Sequence, residues 1–150
     1  MIDPAYGLAE AIHRDMAGTA EALALEAVAF EGAPLDAPLE ILGSPRFRLH
    51  VLPNRRLLQV HALLYDVAPD GAARMISRGH FGSRAATPGR HLTLTLQGRD
   101  IAWRVEAGHR LRVVVRNYDT ERVFPYYAPW CARLYHEAGR ASGVRIPRAP

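Results

Sequence analysis

Apolar residues recur at every second position in one short segment after another, and turn signals interrupt them at intervals of roughly ten residues. Successive side chains of a strand point to opposite faces, so this pattern assigns faces directly. Over residues 46–52, Phe47, Leu49 and Val51 point one way and Arg46, Arg48 and His50 the other. Over residues 58–66, Leu58, Val60, Ala62 and Leu64 form the inward set, Gln59 and His61 face outward, and the same parity carries Asp66 inward. Leu92, Leu94 and Leu96 alternate with Thr93, Thr95 and Gln97, and Ile101, Trp103 and Val105 alternate with Arg104 and Glu106. His109, Leu111, Val113 and Val115 share a face opposite Arg110, Arg112 and Arg116, which makes the outer face basic. Ser44-Pro45, Pro53-Asn54, Pro69-Asp70-Gly71, Thr87-Pro88-Gly89, Gln97-Gly98 and Ala107-Gly108 separate the segments. Helical crossovers of the kind that βαβ units need are missing from this pattern, so the expected fold is an all-β sandwich or barrel.

The segment ALLYDVAPDG ends in the strongest turn signal of the chain. Proline presets φ at the first central position, Asp70 can hydrogen-bond its own backbone and Gly71 accepts positive φ, so a hairpin is expected here. Asp66 stands just before that turn on the inward side. A buried carboxylate costs several kcal/mol if unpaired, so a donor is expected from His109, from Arg110, or from the turn backbone at Asp70 and Gly71. The functional alternative is an Asp66–His109 dyad awaiting a nucleophile, with Ser77, Ser83 or Cys131 as third member. None of those three has an activating local context, and structural pairing is the reading preferred.

A chain of 150 residues makes one domain the default. Residues 8–16, LAEAIHRDM, could form a short helix, so residues 1–20 are read as a lead-in and 21–150 as the domain proper. No run approaches the ~20 apolar residues that span a bilayer, and the N-terminal stretch has early acids and no unbroken apolar region; a cytoplasmic chain with no membrane partner is expected. A single cysteine, Cys131, allows no internal disulfide and no CxxC pair. All 19 basic residues are arginine, which excludes lysine chemistry within the chain. The formal charge of +4 raises nucleic acid as a partner, but the arginines are spread along alternating strand positions, as on a solvated sheet face, and no nucleic-acid partner is expected. There is no GxSxG elbow, phosphate-binding glycine loop or HExxH pair, and the seven histidines have no metal-ligand spacing, so neither cofactor nor metal is expected. The aromatic segment with Tyr118, Phe124, Tyr126, Tyr127, Trp130 and Tyr135 reads as satellite core under a long loop, with a ligand-stacking or interface surface as the functional alternative.

Three stretches in order carry a resemblance: EAVAFEGAPLDAPLEILGSPRFRLHV over residues 26–51, LLYDVAPDGAARMISRG over 63–79, and AWRVEAGHRLRVVV over 102–115. Together they resemble the C-terminal domain of X-Pro dipeptidyl-peptidases and related acyl esterases, including cocaine esterase and the α-amino acid ester hydrolases. The likeness covers residues 21–118, and the final GVRIP looks like the family's closing strand. The resemblance implies a jelly-roll β-sandwich of the galactose-binding-like type, packed on an α/β-hydrolase domain that holds a Ser-Asp-His triad. That catalytic domain is absent from these 150 residues, so no catalytic residue carries over; His109 matches a histidine of the sandwich, not of the triad. Asp66, Asp70, Gly71, Gly108, His109 and Arg110 are accordingly structural motif residues.

The resulting expectation is a non-catalytic accessory module of a serine hydrolase, docking an apolar and aromatic patch on the hydrolase domain and walling its substrate cleft. Tyr118, Phe124, Tyr126, Tyr127 and Trp130 are the candidate ligand or interface contacts. The alternative is a stand-alone carbohydrate or small-ligand binding module. A homo-oligomer through an uncovered apolar surface would also be compatible with such a module.

Overall fold

The computed structural model describes residues 27–117 and 132–149. The expected lead-in over 1–20 and the candidate contacts Tyr118, Phe124, Tyr126, Tyr127, Trp130 and Cys131 lie outside them. The described residues form strands and no helix: β1 (Ala27–Glu31), β2 (Leu39–Gly43), β3 (Arg46–Pro53), β4 (Leu58–Val67), β5 (Ala73–Ser83), β6 (Leu92–Gln97), β7 (Ile101–Val105), β8 (Arg110–Arg116), β9 (Ala132–Glu137), β10 (Arg140–Ala141) and β11 (Gly143–Arg145).

Two sheets face each other. One has the order β1-β8-β4-β5. The other is built on β3, which pairs with β6 along one edge and with β9 and then β11 along the other. All of these pairings are antiparallel, and β2 and β7 form a separate two-stranded sheet. Between the two large sheets lies one cluster: Phe47, Leu49 and Val51 from β3, Leu58, Val60, Ala62 and Leu64 from β4, Leu94 and Leu96 from β6, and Val115 from β8. These are the inward residues expected from the alternation. Burying each large apolar side chain contributes about 1.5–3 kcal/mol, so this shared layer is the main force holding sheet to sheet.

The hairpin at residues 68–72 joins β4 to β5. Gly71 N–H donates to the Ala68 carbonyl at 2.9 Å, Ala68 N–H to the Ala72 carbonyl at 2.8 Å, and Ala72 N–H to Asp70 Oδ1 at 2.9 Å. Gly71 has φ of 89°, the left-handed value that only glycine takes without strain. Pro69, Asp70 and Gly71 therefore fill the roles that their chemistry dictates.

β4 departs from the expected half-exposed strand. Gln59 and His61 are buried, at 8% and 2% exposure, rather than outward-facing. β4 lies between β5 and β8, and the outer face of its sheet is covered as well: Leu63, Val114 and Ala29 form a second cluster with Ala27, Tyr65 and Met75 against it. A strand buried on both faces reads as a nearly continuous apolar run, and VHALL is such a run. Arg116 on that face is buried too, so the basic outer face is not simply solvated.

The other close approach is made by two glycines. A Cβ on Gly98 would lie 2.8 Å from Ser77 Oγ and 3.0 Å from the Pro45 carbonyl oxygen, and one on Gly79 would lie 3.0 Å from the Gln97 carbonyl oxygen. The bare backbone at these points lets the β5 and β6 regions meet. Gly98→Ala is expected to destabilise the protein by about 1–3 kcal/mol in urea denaturation, the scale of overpacking. Gly82→Ala, where nothing lies within 4 Å, is the control and should leave the midpoint nearly unmoved.

Candidate functional site

The polar centre of the molecule is Asp66, next to last in β4. Its cross-strand neighbours are Arg74 of β5 and Leu111 of β8. The side chain is 9% exposed. His109 Nδ1 lies 2.7 Å from Oδ1, and Trp103 Nε1–H donates to Oδ2 at 3.0 Å. A carboxylate accepts, so the hydrogen-bond network assigns the ring proton of His109 to Nδ1. Both carboxylate oxygens thus have a donor, one from the turn that leads into β8 and one from β7.

Each partner is held in turn. His109 stands at the end of a tight turn in which Gly108 takes φ of 81° and His109 N–H donates to the Glu106 carbonyl at 3.2 Å. On its other side, Leu35 N–H donates to the His109 carbonyl and Gly108 N–H to the Leu35 carbonyl, both at 2.8 Å. Trp103 is in register with Ile41 of β2, and the Arg74 guanidinium lies 4.5 Å from its ring centroid. That cation–π contact covers one face of the indole. The 24% exposure of the His109 side chain leaves one edge of the ring open to solvent.

Of the donors expected for Asp66, the structure brings in His109 and not Arg110 or the turn. Arg110 donates to Glu31 at 3.0 Å, and Arg112 also pairs with that carboxylate. Parity explains this: Arg110 and Arg112 share the face of β8 that looks toward Glu31, whereas Asp66 is on the core side with Leu111. Asp70 and Gly71 serve the turn. Trp103 was missed as a partner, although its inward parity on β7 matched that of Asp66 on β4. Two of the three nucleophile candidates are committed elsewhere, the third, Cys131, lying outside the described residues: the Ser77 hydroxyl donates to the Arg99 carbonyl at 3.0 Å, and Ser83 Oγ accepts from Ala85 N–H at 3.1 Å. Among the described residues no three His, Cys, Asp or Glu side chains group so as to hold a metal ion. The arrangement is a two-pronged acceptor that joins elements, with both carboxylate oxygens occupied.

Comparison with protein families matches residues 3–125 to the X-Pro dipeptidyl-peptidase C-terminal non-catalytic domain. The chain belongs to this family. The non-catalytic domain of X-Pro dipeptidyl-peptidases also has solved structural relatives. An α-amino acid ester hydrolase superposes with a TM-score of 0.70 at 19% identity, over 82% of this chain and 25% of that one. An aminopeptidase from a marine-sediment Thaumarchaeota archaeon gives a TM-score of 0.70 at 18% identity, over 92% of this chain and 27% of that one. A CocE/NonD family hydrolase from Staphylococcus aureus gives a TM-score of 0.69 at 11% identity, over 82% and 30%. At these identities the likeness is one of fold, and this chain spans between a quarter and a third of each of those proteins. No curated protein matches the sequence.

In this domain of the family, Asp66→Asn replaces an acceptor oxygen by an amide that meets a facing N–H. It is expected to cost about 1–3 kcal/mol at pH 7 by urea denaturation, the range for hydrogen bonds to a charged group, and Trp103→Phe should cost about 1–2 kcal/mol. Unchanged midpoints in both variants would contradict the pairing.

Glu31 gives a pH-dependent contribution. Burial would raise its pKa, but the hydrogen bonds and charges of Arg110 and Arg112 outweigh this and hold it below its ordinary 4.5. A depressed carboxyl contributes stability above its unfolded pKa and loses it as pH falls through the folded value. Glu31→Gln is therefore expected to lower stability by about 0.5–1 kcal/mol at pH 7. The gap to the unsubstituted protein should close as pH is taken well below 4.5, as followed by thermal unfolding across pH.

Proposed function

We propose that this chain is the accessory sandwich of an X-Pro dipeptidyl-peptidase or acyl-esterase type serine hydrolase: it packs on an α/β-hydrolase catalytic domain and walls one side of the substrate cleft. The observation that carries the reading is the match of residues 3–125 to a domain described as non-catalytic. The share of the structural relatives that it spans, 25–30% of each, supports it by leaving most of each relative for other parts. The Asp66–His109 pair supports it chemically, since its carboxylate is fully engaged in joining strands.

The aromatic residues expected to form the docking patch lie outside the described residues. Among the described residues, Leu42 is the one large hydrophobic side chain that stands exposed, at 56%. Contact through the described residues would therefore be polar at its rim and modest in apolar area, as interdomain interfaces within a chain commonly are. The carbohydrate-binding alternative of a galactose-binding-like module places its contacts on Tyr118, Phe124, Tyr126, Tyr127 and Trp130, outside the described residues, and no specific observation favours it.

The test is reconstitution. A hydrolase domain of the family, produced without its own C-terminal sandwich, is mixed with this chain and followed by sedimentation velocity and by hydrolysis of an X-Pro amide and an acyl ester. The expected result is a one-to-one complex with a changed KM, and this chain alone giving no turnover. Turnover by this chain alone, or two independent sedimenting species with unchanged kinetics, would overturn the proposal.

A further inference from the structure

A second site lies at the opposite character extreme from the apolar core: a cleft of about 510 Å³ lined by Ser44, Arg46, Gln97, Arg145, Pro147 and Arg148, with Ile146 between them. Two chain segments, the start of β3 and the stretch that leaves β11, bring its arginines together. Arg46 begins β3, Arg145 ends β11, and Arg148 follows in the segment that bridges to Ile41 of β2. Arg46 and Arg145 are directly opposite each other in the antiparallel β3–β11 register, and Gln97 is opposite Arg46 on the β6 side. Like charges placed opposite each other across a strand pair are destabilising unless something neutralises them.

Nothing in the described structure does so. Arg104, Arg110, Arg112 and Arg140 each meet a glutamate, whereas the side chains of Arg46, Arg145 and Arg148 have no ion-pair or hydrogen-bond partner among the described residues. Of the acids connected to this region, Glu40 pairs with Arg104, and Asp100 accepts from the Ser44 hydroxyl and pairs with none of the three arginines. Gln97 Nε2 donates to Ser44 Oγ at 3.3 Å, which fixes a neutral amide on the cleft wall. A concave space within the size range of small-ligand sites, bordered by three exposed, unpaired guanidinium groups, suits oxyanions.

We infer that this cleft binds a multiply charged phosphate group of the pyrophosphate class. A single carboxylate brings one charge and engages one fork. A pyrophosphate-type group brings several charges on oxygens pointing in different directions, which suits three guanidinium groups arriving from β3 and from the stretch after β11. Binding offsets the Arg46–Arg145 repulsion, so ligand and fold stabilise each other. This inference is independent of docking on a hydrolase domain.

Isothermal titration of the whole chain with inorganic pyrophosphate at low ionic strength, acetate serving as the single-carboxylate comparison, tests it. Saturable one-site binding is expected, with a raised unfolding temperature. Arg145→Gln and Arg148→Gln should each weaken binding about tenfold or more, the effect of one charge-assisted contact, while Arg104→Gln on another surface should leave it within about twofold. Without ligand, Arg145→Gln should melt no lower than the unsubstituted chain, since it removes a repulsion; this also verifies that the variant folds. No saturable heat, equal weakening by Arg104→Gln, or acetate binding as tightly as pyrophosphate would each overturn the assignment.

Discussion

Among the described residues Asp66 is the one buried carboxylate, and it links separate parts of this sandwich. Its two oxygens take hydrogen bonds from His109, at the entry to β8, and from Trp103, on β7. β8 and β4 are neighbours in the four-stranded sheet, but β7 belongs with β2 to a different one. Apolar packing between the large sheets is strong and non-directional; it holds layers together without dictating where the small β2–β7 sheet attaches. A carboxylate with two fixed donors supplies that direction, because leaving either donor or acceptor unpaired at 9% exposure is costly.

The chemistry of the family and the local chemistry of this chain are consistent with each other. An Asp–His pair is a fragment of a hydrolytic triad only when a hydroxyl or thiol sits beside the open ring nitrogen. Here Ser77 and Ser83 are turned to backbone partners and Asp66 is consumed by bridging. The same residue types that make a charge-relay elsewhere make a clamp here, and the match to a non-catalytic domain is what that geometry leads one to expect.

Much of this was legible from residue order. Phe47, Leu49 and Val51, and Leu94 and Leu96, are buried as their parity requires, and Pro69, Asp70 and Gly71 form the hairpin that their backbone preferences demand. What was not legible depends on a third dimension. Gln59 and His61 are buried because the outer face of β4 is covered, and alternation within one strand carries no information about what lies above it. The pairing of Asp66 with Trp103 rather than Arg110 required knowing that β7 crosses near the hairpin corner. Arg46 and Arg145 read as two more residues of a solvated face; only the register of β3 with β11 sets them opposite each other.

The central claim is that Asp66 holds Trp103 by a hydrogen bond in the folded state. The most direct measurement is the solvent-exchange rate of the Trp103 indole N–H, observed by NMR in the full chain and in Asp66→Asn. The account predicts slow exchange in the unsubstituted protein and a marked acceleration in the variant under conditions where both are folded. Exchange as fast as a free indole in the unsubstituted protein, or a rate unaltered by Asp66→Asn, would contradict it.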